Sequence, residues 1–472
     1  MKKFKAEIWA MLLATSIIGC AAGPNYKRPE AAVPPSFHEA KKEIISGELS
    51  QLARWWTTFN DSVLNSLIEK AIHSNIDLRV AEIHIKEVRA SRGIIDSDRW
   101  PQVNTSGSYA QNRISENTRQ GRSVNAFGGA EYELYQAGFD ASWEIDLFGS
   151  VRRAVEAADA DIESAIEARH SVLVTLLGDV AKNYIELRGL QRQIIITKGN
   201  LKIQEETLKL IQVRYKAGLI SYLDVTRAEA QVADTSAQIP LLERSLKQVS
   251  HRLSVLSGQE PGSLWIELSR DAPIPVPPSN VVVGIPSELL RRRPDLRRTE
   301  REIAAASARI GVATADLFPR FSLTGSFGLQ GQSSNDLSDS ASRFWSAGPS
   351  IHLPIFTAGR IRSNIKVQDA RYEQAIARYE QTVLTALEDV ENSLVAWFME
   401  QSRLKFLSEA TTANRQSAAM ARELYSKGLT DFFNVLEAER SLLSSENQLA
   451  QSETAVSTNL VAIYKALGGG WE

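Results

Sequence analysis

The sequence predicts a mainly α protein of the α+β class, in which long helices carry four β-strands of membrane-crossing length and the plan is written twice along the chain. The repetition shows in matched motifs. Asn75-Ile76-Asp77-Leu78-Arg79 aligns with Arg293-Pro294-Asp295-Leu296-Arg297, and at the same offset Gly93, Trp100-Pro101 and Gly107-Ser108-Tyr109 meet Gly311, Phe318-Pro319 and Gly325-Ser326-Phe327. The helices show in two proline-free segments, residues 150–217 and 360–427, each long enough for a continuous helix of about 100 Å at ~1.5 Å per residue. The strands show in four stretches where apolar and polar residues alternate.

Composition narrows the function classes. At 472 residues the chain can bury a core without outside staples. Lys and Arg (54) nearly balance Asp and Glu (56), leaving a net charge of -2, so no nucleic-acid partner is expected. A single cysteine excludes an internal disulfide framework and any cysteine-rich zinc or iron–sulfur site.

Residues 1–19 read as a secretory signal. Lys2, Lys3 and Lys5 precede an apolar stretch from Ile8 to Ile18, which is too short to span a bilayer permanently. The ending Ile17-Ile18-Gly19-Cys20 resembles the lipobox of bacterial lipoproteins, which implies cleavage before Cys20 and acylation of that residue. Residues 20–54 are then a lipidated N-terminal segment, and several acyl chains anchor where one would be marginal. Under the bacterial sorting rule, Ala21 in place of an aspartate implies the outer membrane. No later segment is apolar enough for a transmembrane helix, so spanning falls to β-strands.

The first repeat occupies residues 55–258. A helical pattern over 62–98 ends at Trp100-Pro101, a β-hairpin follows over 102–147, and a long helical hairpin fills 150–257. In the hairpin's second strand Tyr135, Ala137, Phe139, Ala141, Trp143, Ile145 and Leu147 share one face, opposite Gln136, Gly138, Asp140, Ser142, Glu144 and Asp146. Residues 259–286 hold six of the sixteen prolines and form a linker. The second repeat occupies 287–472, with a helical pattern over 287–316, a β-hairpin over 320–355 and a long helical hairpin over 360–467. Phe321, Leu323, Phe327 and Leu329 alternate there, as do Trp345, Ala347, Pro349, Ile351, Leu353 and Ile355.

Each sheet hairpin has a long polar loop, 113–131 and 331–343, as outer-membrane barrels have on their outer side. A soluble, half-buried sheet alternates in the same way. The lipoprotein-like signal and the long helices decide for the membrane. In those helices Leu173, Leu177, Val180, Tyr184 and Leu187 step by four and three, as do Val383, Leu387, Val390, Leu394 and Trp397, which is the spacing of coiled helices. Gly178, Gly189 and Gly199 weaken the first copy, and Pro240 is expected to kink its returning helix. Four strands cannot close a barrel, and open sheet edges in lipid are costly, so several copies must share one wall. Spacing alone leaves eight and twelve strands both open.

The ordered motifs resemble the outer membrane efflux protein family, the TolC-like channels, and within it the NodT-type lipoprotein branch. They are Cys20-Ala21-Ala22-Gly23-Pro24-Asn25-Tyr26-Lys27-Arg28-Pro29, Trp55-Trp56 with Phe59-Asn60-Asp61, Ile145-Asp146-Leu147-Phe148-Gly149, and Pro286 through Arg297. The resemblance covers essentially the whole mature chain. It implies a homotrimer with a twelve-stranded transmembrane β-barrel continued by an α-helical coiled-coil barrel through the periplasm. It also implies a periplasmic adaptor and an inner-membrane pump as partners. The function implied is a passive exit duct for small molecules. A duct for polypeptide secretion and a lipid-anchored coiled-coil scaffold without a pore are the other readings.

In such channels the helix-turn-helix tips form the periplasmic end, which here places Tyr215–Val225 and Tyr425–Val435 there. Gly218, Leu219, Gly428 and Leu429 are the tip residues implied to meet the adaptor, and glycine also caps helices. Positions matching the family's gate are Asp224, Tyr425, Asn434 and Glu437, together with Thr430. Thr430 and Asn434 depart from its charged pattern. Asp140, Glu144 and Asp146 lie on the polar strand face and would tint a pore acidic. The five arginines of the Arg291–Arg298 run read as a solvated helix start. Six histidines show no metal-ligand spacing, and His-Glu-x-x-His, Walker and Gly-x-Ser-x-Gly motifs are missing. No cofactor and no enzymatic activity are expected.

Overall fold

The computed structural model describes residues 21–39, 52–115, 131–278 and 285–471. Cys20, with the acylation expected there, and most of the first hairpin loop lie outside the described residues. A 3-10 turn over Trp55–Phe59 leads into α1 (Ser62–Ser74) and α2 (Ile76–Ser97), then β1 (Gln102–Arg113) and β2 (Glu131–Ile145), then α3 (Ser150–Lys216) and α4 (Tyr222–Leu256). After a one-turn helix at Trp265–Leu268 come α5 (Pro286–Arg292), α6 (Pro294–Ala315), β3 (Arg320–Gly331), β4 (Arg343–His352), α7 (Arg360–Ser426) and α8 (Phe432–Ala466). The chain is thus mainly helical with one small sheet.

Both helical stretches that precede the sheet hairpins are broken once. Asn75 is buried, and its side chain donates to the Leu256 carbonyl at 2.9 Å and accepts from the Leu78 amide at 2.9 Å, so it ends α1 and caps α2. In the second case Pro294 takes the first helical position of α6, and the helix before it stops at Arg292. Asp61 opens α1 by accepting the Val63 and Leu64 amides. Its other oxygen accepts from the Tyr184 hydroxyl at 2.8 Å.

The long helices run without interruption for 67 residues each, and the helices returning from them for 35. α4 continues through Pro240, which has no N–H to donate back to the preceding turn. The two returning helices end alike. Gly258 donates to Val255 and Gln259 to Ser254, while Gly468 donates to Lys465 and Gly469 to Tyr464, the double bond of a Schellman motif around a glycine in the left-handed region.

The four strands form one antiparallel sheet in the order β1-β2-β3-β4. Phe139 pairs with Thr105 on one side and with Phe327 on the other, and Phe327 pairs in turn with Trp345. Alternation in the sequence suggests that the last strand runs to Ile355, but it stops at His352 because Pro354 cannot donate to a ladder.

Two compact units are present. The first gathers the described residues up to Pro29 with Ile85–Ala165 and Thr299–Arg378, and it holds the sheet. Its packed helices meet through small residues, Ala160 against Ala304 and Ala305, with Tyr26 laid on them. The second gathers Glu30–His84, Ile166–Arg298 and Tyr379–Glu472. Its core is the coiled seam foreseen from periodicity: Leu177, Val180, Tyr184 and Leu187 of α3 are fully buried, as are Val390, Leu394 and Trp397 of α7. Trp55 joins this core, stacked on Tyr464 with ring centroids 5.2 Å apart. A Cβ on Gly189 would fall 2.3 Å from Thr454 Oγ1, so this glycine lets α8 approach α3.

Candidate functional site: a two-faced sheet and paired helical tips

The sheet has the chemistry of a wall. Because side chains alternate along every strand and the register pairs like with like, one face collects Val103, Tyr109, Phe139, Leu323, Phe327, Trp345 and Ile351. Phe139, Phe327 and Trp345 are 59%, 55% and 75% exposed in the single chain, an apolar surface that water would not leave uncovered. The opposite face carries Asn104, Ser106, Ser108, Gln136, Ser142, Ser322, Thr324 and Ser326. Strands of 10–15 residues are long enough to cross a bilayer core when tilted. The outer edges of β1 and β4 have no partner strand among the described residues. No described helix is long and apolar enough to cross a membrane.

Of the three acidic residues read onto the polar strand face, Asp140 and Glu144 lie in β2 and Asp146 follows its end at Ile145. Asp140 accepts from Asn104 at 3.2 Å, Glu144 lies 3.9 Å from Arg320, and Asp146 accepts the Arg152 amide at 2.8 Å with the Arg152 guanidinium beside it. Two of the three carboxylates therefore have a local cation.

The helical tips lie in the second unit and are built alike. α3 and α7 each close on a glycine in the left-handed region, Gly218 at φ +71° and Gly428 at φ +74°, with open space around both, so glycine is needed for the backbone and not for room. Gly218 donates to Tyr215 and Leu219 to Arg214, and Gly428 donates to Tyr425 and Leu429 to Leu424. The next helices start on Ser221, whose hydroxyl accepts the Leu223 amide, and on Asp431, whose carboxylate accepts the Asn434 amide. Leu219 and Leu429, between cap and cap, are 72% and 70% exposed.

Beneath the turns the two tips pack through Ile211, Val225, Ala228, Tyr425, Phe432, Val435 and Leu436. Of the gate positions read from the sequence, the structure brings Asp224 and Tyr425 together. Burial raises the Tyr425 phenol above its usual range and the nearby Asp224 charge adds to this, while Arg214 opposes it. Asn434 turns back to Thr430 Oγ1 at 2.8 Å, inside its own helix start, and Glu437 is exposed. Arg214 is the residue that sequence reasoning missed. Its guanidinium donates to the Tyr425 and Ser426 carbonyls at 2.9 and 2.8 Å and lies 4.6 Å from the Tyr425 ring centroid. In the motif alignment that sets Tyr215 opposite Tyr425, Arg214 stands opposite Leu424, and that mismatch is the signal the sequence offers.

One turn deeper, Glu439 is 4% exposed on α8. Burial raises its carboxyl above the usual range, and Arg422, 3.8 Å away, and Thr207 offset that only in part. Of the arginine run, Arg291 and Arg298 are exposed, as a solvated helix start would have them, but Arg293 is not. Arg293 is buried, donates to Asp295, Asp389 and the Ala466 carbonyl, and thereby fastens the end of α8. Arg297 pairs with Glu167 and covers the Trp471 ring. Trp55, Trp56 and Phe59 are core residues. Among the described residues no group of three or more His, Cys, Asp or Glu side chains is placed to hold a metal.

A model of the family described as outer membrane efflux protein matches residues 67–259 and 285–469. Nodulation protein T of Rhizobium leguminosarum bv. trifolii is 30% identical over 469 residues, 99% of this chain and 97% of that protein. The solvent efflux pump outer membrane protein SrpC of Pseudomonas putida is 31% identical over 476 residues, 99% of each. Among solved structures, the outer-membrane channel OprN is similar at a TM-score of 0.87 and 37% identity, covering 96% of this chain and 100% of that one. The chain belongs to the outer membrane efflux protein family, as its ordered motifs imply, and is an outer-membrane protein.

Proposed function

We propose that the chain is the outer-membrane channel subunit of a tripartite efflux system. Three copies share one barrel, each supplying four strands, and the helical hairpins α3–α4 and α7–α8 of the three copies form a coiled conduit below it. The duct is passive: a pump in the inner membrane supplies energy and selects small-molecule cargo, and a periplasmic adaptor joins the two. The observation that carries this reading is the sheet, which is greasy on one face and wet on the other and, among the described residues, ends in two unpaired edges. Such a sheet is unstable in lipid until other copies pair with it. Twelve strands leave room for a lumen, whereas eight would be filled by side chains.

The rest of the assignment follows the same plan. Residues 1–19 are the signal, Cys20 carries the lipid, and residues 55–258 and 287–472 are two copies of one unit joined by the linker 259–286. Gly218, Leu219, Gly428 and Leu429 present the tips to the adaptor. Asp224 and Tyr425 form the gate, held by Arg214 where the family has other charges, and Asn434 and Glu437 lie on its rim. The test is native mass spectrometry of the detergent-extracted protein together with conductance in planar bilayers. A trimer with discrete conductance steps is expected; a stable monomer without conductance would leave only the scaffold reading.

A further inference from the structure

The N-terminal segment of the first unit is seated like a peptide ligand in a receptor. The Ala22 amide donates to the Phe148 carbonyl at 2.9 Å. Arg153, 4% exposed, directs its guanidinium to the Ala22 carbonyl at 3.1 Å, the Gly23 carbonyl at 3.5 Å and Asn25 Oδ1 at 2.7 Å, with Glu156 balancing its charge at 2.7 Å. A buried guanidinium is costly unless its donors are used, and here three of its acceptors belong to one short stretch of chain.

Three glycines shape the seat. Gly23 lies at φ +85°, and a Cβ on it would fall 2.4 Å from Gly311 Cα. A Cβ on Gly311 would fall 2.8 Å from the Ala22 oxygen, and one on Gly149 2.9 Å from Ala21. Contacts that short do not occur, so the segment can lie down only where all three side chains are missing. Three residues beyond Gly23, Tyr26 packs on Ala160, Ala304 and Ala305, and its hydroxyl donates to Glu300 at 3.1 Å. Burial and then the Glu300 charge push the Tyr26 phenol up to about 12. Arg28 pairs with the same carboxylate at 2.9 Å.

We infer that residues 21–28 are a latch, and that the cleft formed by Phe148, Gly149, Arg153, Glu300 and Gly311 is its binding site, which fixes the lipid anchor to the sheet-bearing unit instead of leaving it on a loose tether. The inference rests on the proposed reading in taking Cys20 as the acylated residue and the sheet as a membrane wall that other copies complete. The latch begins at the residue after Cys20 and meets the chain three residues past the end of β2, so the acyl chains are held within one residue of the point where the sheet gives way to helix. A fixed anchor sets the depth and orientation of the strands before copies pair. Arg153 is a positioning residue in this device.

Trypsin tests it on the full, detergent-extracted protein, because Lys27 is exposed while the side chains on both sides of it, Tyr26 and Arg28, are tied to Glu300. Cleavage after Lys27 removes the acylated peptide 20–27, and intact mass reports it directly. In wild type this cut is slow. In Gly23→Ala, which alters only the latch, and in Arg153→Met, which alters only the receptor, it is faster by on the order of tenfold or more, as for a segment freed from local protection. Both variants are expected to be acylated normally and to show a several-fold lower fraction of chain assembled in the outer membrane. Equal cleavage rates in wild type and both variants would overturn the latch. A freed segment with undiminished assembly, or a Cys20 whose mass shows no acyl chain, would overturn its role in positioning the anchor. Protection of Lys27 is read on each chain regardless of conductance, so a failed channel and a failed latch give different results.

Discussion

Glu439 shows how one buried side chain records the balance between local sequence and packing. The motif alignment sets it opposite Glu229, which is exposed, yet Glu439 is almost fully buried and has Arg422 only at the edge of ion-pair range. Its carboxyl is raised in the folded state, chiefly by burial. The protonated form is therefore the one that folding favours, so the contribution of Glu439 is most favourable below the ordinary carboxylate range and declines as pH rises through the raised value. Glu439→Gln, which mimics the neutral acid, should raise the unfolding temperature at pH 7 and lose that advantage near pH 4. Thermal unfolding of wild type and variant at the two pH values checks this, and an equal shift at both would show that charge is not the cause. Arg214 and Tyr425 carry the same lesson, since the aromatic at the matched position, Tyr215, is 43% exposed and rests against Tyr222.

At the scale of elements, the glycines of α3 divide into two kinds that propensity alone treats as one. Gly199 has open space where a Cβ would be, so Gly199→Ala should stabilise the protein by about 1 kcal/mol, the ordinary helix preference for alanine. Gly189 faces Thr454 at a distance no Cβ tolerates. Gly189→Ala should therefore destabilise by roughly 1–3 kcal/mol through overpacking in spite of the same preference. Thr454→Ala should recover much of that loss. Denaturant unfolding of the single and double variants measures all three, and a stabilising Gly189→Ala would mean that α8 shifts at little cost. Periodicity located these helices and their buried seam correctly, because heptad spacing is a property of the strand of sequence itself. It could not show that the gaps in the pattern are contact points.

For the whole molecule, the sheet states what surrounds it. Phe327 and Ser326 are neighbours in β3 on opposite faces, one between Phe139 and Trp345, the other among Asp140 and Ser346. On the proposed reading the Phe327 face meets lipid, where a cation costs roughly 2–4 kcal/mol at the bilayer midplane, so Phe327→Arg should block outer-membrane assembly. Ser326→Arg should assemble normally and shift ion selectivity towards anions. Fractionation of the membrane and bilayer recording separate the two outcomes; tolerance of arginine at both sites would mean that neither face meets lipid.

What the sequence determined by itself is whatever is written in local repetition: the four alternating strands, the length of the helices, the glycine turns at Gly218 and Gly428, and the ordered motifs that place the chain in its family. These are legible because a period of two, a period of three and a half, and a left-handed backbone angle each restrict residues near one another in the chain. The tertiary structure alone decided which matched residues are buried, that Arg293 is a core fastening and not a solvated charge, that Arg214 holds Tyr425, and that Arg153 grips a segment 128 to 131 residues before it. Those outcomes depend on what packs against a side chain, and burial, desolvation and the meeting of distant donors and acceptors leave no periodic trace in the sequence.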